Sequence, residues 1–168
     1  QRSEHGLPGG AFVFCCFNNT YKLNPDVFAS WMRILGAVEG SCLWLLADGE
    51  IVPANLRREA ARAGIEPGRL VFGGRLGLSE YLDRYRHADL FLDTATYNAH
   101  TTASDAIWAG CPVLTTPGET FASRVAASAH HHLGMPELNV ADDAAFVEFA
   151  VRIGLDRDHR NTLHQRLA

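Results

Sequence analysis

The chain has 168 residues, with 15 Lys and Arg set against 19 Asp and Glu, a formal charge of −4 with histidines neutral. That length is one domain's worth, and a composition of 47% hydrophobic, 10% aromatic and 20% charged residues supplies one sizeable core, which excludes a disordered chain. Mild acidity without a basic cluster excludes a nucleic-acid binder, because a phosphate backbone is held by clustered Lys and Arg.

Residues 11–17 are almost all apolar, aromatic or β-branched, which predicts a strand buried on both faces and ending at Asn18-Asn19. Asn24, Pro25 and Asp26 then stand as capping residue, first-turn proline and first-turn acid, and the stripe Val27, Phe28, Trp31, Ile34, Leu35 keeps helical spacing until Gly36 and Gly40. A second strand is expected at 42–46, a helix at 53–63 closed by Gly64, and a short strand at 69–72. Ser79 is placed to cap a helix carrying Tyr81, Leu82 and Tyr85. A strand at 89–93, a helix at 101–109, a strand at 112–115 and a helix from Thr120 to His132 follow. Asp142 or Asp143 caps a last helix, with Phe146, Phe149, Ala150 and Ile153 on one face.

Strands alternating with helices of 10–15 residues mean βαβ units, and so a doubly wound α/β domain with a parallel sheet over 1–168. Such sheets bind ligands beyond the carboxyl ends of their strands, which directs attention to the segments after Phe17, Phe72, Asp93 and Thr115. The apolar stretches 11–17 and 42–47 fall far short of the roughly 20 residues of a membrane-spanning helix, so no membrane partner is expected. Gln1 to His5 is polar with no signal-peptide core behind it, and the cytoplasm is the expected compartment.

Cys15, Cys16, Cys42 and Cys111 sit in or beside apolar runs without CxxC spacing, which fits reduced core residues rather than a disulfide framework or a zinc site. His130, His131 and His132 point in different directions on a helix and make no metal face; a surface helix end is expected.

Two segments carry candidate chemistry. After the fourth strand, the polar stretch from Asp93 to Asp105 runs into a helix beginning near His100, Thr101 and Thr102, whose first N–H groups and positive dipole end form an anion site. The competing structural reading makes Thr101 or Thr102 an N-cap with Asp105 completing a capping-box-like arrangement. After the first strand, Asn18-Asn19-Thr20-Tyr21-Lys22 places one lysine where a phosphate group wants a point charge. Neither GxGxxG nor GxxxxGK[ST] occurs, and GxSxG is absent too. The residues alone point to a doubly wound domain with an anion or nucleotide-phosphate pocket built from Lys22 and the His100 helix start.

At these residues the sequence resembles the O-linked N-acetylglucosamine transferases, through Phe17-Asn18-Asn19-Thr20-Tyr21-Lys22, Leu92-Asp93-Thr94, the run from Tyr97 to Asp105, and the run from Pro117 to Ser128. The resemblance implies the Rossmann-like C-terminal lobe of a two-lobed GT-B glycosyltransferase that carries tetratricopeptide repeats and moves N-acetylglucosamine from UDP-GlcNAc to Ser or Thr of proteins, with inversion. By that resemblance Lys22 contacts the diphosphate and stabilises the leaving UDP, with Asn19 beside it. His100, Thr101 and Thr102 hold phosphate oxygens, Asp105 binds the ribose and Tyr97 lies near the N-acetyl group. Tyr81 stacks on uracil and Arg84 is retained, whereas Leu78 and Tyr81 replace a Lys and a His of many members. No metal is implied. The isolated chain is expected to bind UDP without transferring sugar, since the general base and acceptor surface belong to the other lobe. The alternatives are a GDP-fucose-using O-fucosyltransferase lobe and a non-catalytic interaction module.

Overall fold

A computed structural model describes residues 1–167. Five strands, β1 (Val13–Cys16), β2 (Cys42–Leu46), β3 (Leu70–Gly73), β4 (Leu90–Leu92) and β5 (Val113–Leu114), form one parallel sheet in the order β3-β2-β1-β4-β5. Helices α1 (Pro25–Ala37), α2 (Ile51–Arg62), α3 (Leu78–Arg84), α4 (Thr101–Trp108), α5 (Val125–Leu133), α6 (Asp143–Leu155) and α7 (Arg157–Leu167) flank it, as the doubly wound reading requires. β1 and β2 are short apolar runs because both faces are covered: Val13, Phe14, Cys15, Leu43 and Leu45 are buried. All four cysteines are free and buried. Among the described residues no helix is long and apolar enough to cross a membrane.

The strand order places the topological switch between β1 and β4, whose chain connections run to opposite sides of the sheet. The caps of α1 and α6 are as the sequence suggests: Asn24 accepts from the Val27 N–H and Asp142 from the Ala145 N–H. Arg69, just ahead of β3, ties the end of α1 to the start of β2. Its guanidinium donates to the carbonyls of Leu35, Val38 and Ser41 and to the Ser41 hydroxyl, at 2.7–2.9 Å.

Several boundaries differ from expectation for identifiable reasons. α2 starts at Ile51, so Pro53 sits inside its first turn, where the missing N–H costs nothing. Gly77, not Ser79, occupies the N-cap of α3. A 3-10 turn, Phe121–Ser123, precedes α5, because Thr120 and Ser123 close a reciprocal capping box that breaks the continuous helix expected from Thr120. In the histidine run, His131 and His132 are exposed but His130 is buried, its Nδ1 2.6 Å from Asn139 Oδ1. α7 has no counterpart in the sequence reading: it is polar and anchors itself through Leu163 and through His164, whose ring nitrogens meet the carbonyls of Gly110 and Asp89.

Replacing Arg69 by Met is expected to destabilise the fold by about 2–4 kcal/mol, since four acceptors lose one half-buried donor. Urea unfolding measures it; a loss under 0.5 kcal/mol would show that the tie is dispensable.

Candidate functional site

The switch point is built around one buried carboxylate. Asp93, directly after β4, is 3% exposed. Its Oδ1 accepts from the backbone N–H of Thr94 (2.8 Å) and Ala99 (2.7 Å), and its Oδ2 from the Thr115 hydroxyl (2.7 Å) beyond β5. Burial pushes its pKa up to about 6, against the lowering effect of those three hydrogen bonds and of Lys22. The loop it anchors is laced internally: Asn18 Nδ2 donates to Thr94 Oγ1 (2.9 Å), Thr94 Oγ1 to the Tyr97 carbonyl (2.7 Å), and Asn98 Nδ2 to the Thr94 carbonyl (2.8 Å). This lacing holds Thr96 at φ 74°, a left-handed conformation that a β-branched residue enters at a cost of about 1–2 kcal/mol.

Lys22 reaches across the switch. It ends the 3-10 turn Thr20–Lys22 after β1, its Nζ donates to the Asn98 carbonyl at 2.9 Å, and it lies 3.9 Å from the centre of the Tyr97 ring. Partial burial lowers its pKa, and the Asp93 carboxylate opposes that shift. Tyr97 packs edge-on against His100, and His100 against Phe121. The His100 Nε2 lies 3.2 Å from the Ala122 carbonyl; a carbonyl only accepts, so Nε2 carries the ring proton.

His100 itself holds the N-cap position of α4, without a side-chain cap bond. Neither Thr101 nor Thr102 caps the helix and Asp105 closes no capping box, which corrects that structural alternative. Thr101 is the first helical residue, so the Thr101 and Thr102 N–H groups of α4 stay open at the sheet's carboxyl edge, after the loop whose Asn98 carbonyl holds Lys22. The sequence-predicted residues therefore form two groups. Lys22, Tyr97 and His100 gather on one side of this helix start. Tyr81, Arg84 and Asp105 gather on the other, joined to it where the Tyr85 hydroxyl meets the Thr102 carbonyl at 3.4 Å.

In that second group the Tyr81 hydroxyl lies 2.8 Å from the Tyr85 hydroxyl. Burial, with the nearby Asp105 carboxylate, pushes the Tyr81 phenol up to about 12. Arg84 is not a surface cation: it is 1% exposed, stacked against Phe17 (4.6 Å), Tyr81 (5.3 Å) and Trp44 (5.9 Å), and donates to the Gly74 carbonyl at 3.1 Å. Asn19 lies at the N-cap of the Lys22 turn, half-buried.

Sequence reasoning gave no role to two residues here. Arg75, after β3, bridges Asp48, after β2, to Asn19, after β1. The signal was present, since Arg75 stands at a strand's carboxyl end just as Lys22 does. Gly118 is the other: a Cβ there would meet Ser123 Oγ at 2.5 Å, so glycine is what lets the β5 end lie against the Phe121 turn. Among the described residues no group of three or more His, Cys, Asp or Glu is arranged to hold a metal ion.

A parallel sheet in this order, with an open helix start facing a lysine at its switch point, defines an α/β lobe of the kind from which two-lobed glycosyltransferases are built. The chain belongs to glycosyl transferase family 41, whose family description matches residues 1–168. It is 40% identical over 159 residues to the UDP-N-acetylglucosamine–peptide N-acetylglucosaminyltransferase of Caenorhabditis elegans, covering 95% of this chain and 14% of that protein. The probable UDP-N-acetylglucosamine–peptide N-acetylglucosaminyltransferase SEC of Arabidopsis thaliana is 36% identical over 168 residues, 99% of this chain and 17% of its own length. Among solved structures, a lysine-to-methionine mutant of the Thermobaculum terrenum O-GlcNAc transferase superposes with a TM-score of 0.89 at 30% identity, over 94% of this chain and 31% of that one. Sucrose-phosphate synthase from Thermosynechococcus elongatus, at 19% identity and a TM-score of 0.71 over 99% of this chain and 42% of that one, shares the fold. The chain thus spans about a sixth of the length of these curated relatives.

The Asp93 pKa predicts a pH signature. A carboxyl that binds its proton more tightly when folded contributes most below about pH 4, and that contribution is lost as the pH rises through about 6. Asp93→Asn keeps the acceptor for Thr94 and Ala99 and removes the titration. The unfolding free energy of the variant, relative to wild type, is expected to rise by about 2 kcal/mol between pH 4 and pH 7; parallel curves from urea melts across that range would contradict it.

Proposed function

We propose that this chain is the donor-binding lobe of an inverting glycosyltransferase that moves N-acetylglucosamine from UDP-GlcNAc to Ser or Thr of proteins. The observation that carries this reading is the Lys22 ammonium held across the β1/β4 switch on the Asn98 carbonyl, in the loop that leads into the open N-terminus of α4. The printed activity of the two curated relatives supports the same donor and a peptide acceptor.

Glycosyl transfer requires the departing nucleoside diphosphate to take up negative charge. Lys22 and the Thr101 and Thr102 backbone N–H groups and hydroxyls are fixed donors directed at that charge, and stabilisation aimed at the transition state raises the rate more than tighter ground-state binding does. In this reading the donors do the work of a divalent ion and no metal is needed. His100 lines the phosphate site, and its Nε2–H is committed to the Ala122 carbonyl, which fixes the ring at the start of α4. Tyr97, under the lysine, borders the sugar's N-acetyl group. Asp105 takes the ribose hydroxyls, and Tyr81 presents the face for uracil. Arg84, from beneath, shapes the Gly74 loop against which the base lies. The general base and the acceptor groove belong to another lobe, so this chain alone is proposed to hold UDP without transferring sugar.

Saturating UDP should stabilise the chain by about 2.7 kcal/mol at a hundredfold excess over Kd, raising Tm by roughly 5–10 °C. GDP should give a clearly smaller shift; an equal or larger one would favour a guanine-nucleotide donor. Lys22→Met should weaken UDP binding about tenfold or more, the loss of a charged hydrogen-bond donor. Unchanged UDP affinity in that variant would favour a non-catalytic interaction module, and robust transfer to a peptide by this chain alone would overturn the single-lobe reading.

A further inference from the structure

We propose that Arg75 is a positioning residue of the donor face: it turns the Asn19 side-chain amide so that its NH2 group faces the ligand beside Lys22. This deepens the donor-binding reading and rests on it. Three strand ends meet at the residues involved. Asn19 follows β1, Asp48 follows β2 and Arg75 follows β3, and these strands are neighbours in the sheet. The Arg75 Nη2 donates to Asn19 Oδ1 at 2.8 Å, and its Nε to Asp48 Oδ2 at 2.9 Å.

A guanidinium has donors only, so the Asn19 atom that meets it is the carbonyl oxygen. The amide has then no freedom to flip. Its two N–H groups point away from Arg75, and among the described residues Nδ2 has no protein partner, whereas a flipped amide would present a carbonyl oxygen instead. Asn19 also holds the N-cap of the turn that carries Lys22, whose backbone N–H donates to the Asn19 carbonyl at 3.0 Å, so the backbone of one short turn links the two residues. Two free amide N–H groups at the head of the turn that carries Lys22 suit a ligand group that only accepts, as diphosphate oxygens do.

Asp48 gives Arg75 its orientation and screens its charge, so Arg75 acts through Asn19 rather than as a second phosphate cation. The ion pair is exposed, at 67% and 57% for the two side chains, and contributes little to folding. That exposure separates positioning from a structural role.

Calorimetric titration of the whole chain with UDP and with uridine, on wild type, Arg75→Met, Arg75→Lys, Asn19→Ala and the Arg75→Met/Asn19→Ala double variant, tests this. Arg75→Met is expected to weaken UDP binding about three- to tenfold, the scale of one misplaced hydrogen bond to a charged group at an exposed site, with uridine affinity and Tm unchanged. Arg75→Lys keeps the charge but not the fork that spans Asp48 and Asn19, and should behave like Met. In the Asn19→Ala background Arg75→Met should add nothing. An equal loss in that background, full retention by Lys, or no loss with Met would each overturn the proposal. Absence of UDP binding by wild type would instead remove the donor reading, and this inference with it.

Discussion

The hydrogen bonds on Asp93 decide where everything at the carboxyl edge can sit. Strands β4 and β5 are only three and two residues long, and backbone pairing of that length fixes little by itself. The carboxylate joins the two strand ends through Thr115 and simultaneously pins the loop that returns to α4 through Thr94 and Ala99. Three directed bonds to one ion in a dry site hold their geometry better than apolar contacts would, because each donor left unpaired there carries its full desolvation penalty. Once the loop is held, the Asn98 carbonyl is held, and with it the acceptor that places Lys22. The lysine after one strand and the loop carbonyl after another, which leads into the helix start, are thus a single construction, 76 residues apart in the chain.

This arrangement also explains a choice of charges that looks unfavourable. An ionised carboxylate beneath an anion-binding surface lowers the affinity of that surface, and burial makes ionising Asp93 costly. Yet the same carboxylate opposes the effect of burial on Lys22, keeping the ammonium charged although it is partly desolvated against Tyr97. Both carboxylate oxygens are occupied by neutral donors, which leaves the lysine's remaining N–H groups outside that network.

The sequence makes the periodic parts of this molecule readable and leaves its cross-chain links hidden. Strands β1 and β2 are recognisable because burial on both faces requires an unbroken apolar run, and α1 because Asn24, Pro25 and Asp26 mark its start locally. Lys22 and the His100 helix start were found by a rule about strand ends that needs no knowledge of strand order. What could not be read depends on contacts between distant segments. α7 has a polar sequence and is held by Leu163 and by His164 bridging two carbonyls that no local pattern announces. His130 is buried because Asn139, nine residues on, offers it a partner. The Thr101 and Thr102 hydroxyls look like caps by composition, yet His100 holds the N-cap position and the helix starts at Thr101, where its pattern begins.

The loop after β3 shows how an α/β edge is shaped from two directions. From below, Arg84 is a fully buried cation whose Nε and Nη1 have no protein partner among the described residues and whose only acceptor is the Gly74 carbonyl. Three aromatic faces, Phe17, Tyr81 and Trp44, surround its charge and supply cation–π attraction in place of a carboxylate. Gly73 completes this packing, since a Cβ there would approach the Trp44 Nε1 to 3.1 Å. From outside, Arg75 pulls the same loop toward Asp48. Two consecutive glycines would otherwise leave this segment the freest on the carboxyl edge. Held from beneath by the buried Arg84, it becomes a fixed wall, and Tyr81 stands on the helix that the wall leads into. Arginine suits both places at this loop, since its flat guanidinium stacks between aromatic rings at Arg84 and spans two side-chain oxygens at Arg75, which lysine's point charge cannot do. Lysine appears once in the whole chain, at position 22, where a compact charge is directed at the switch point.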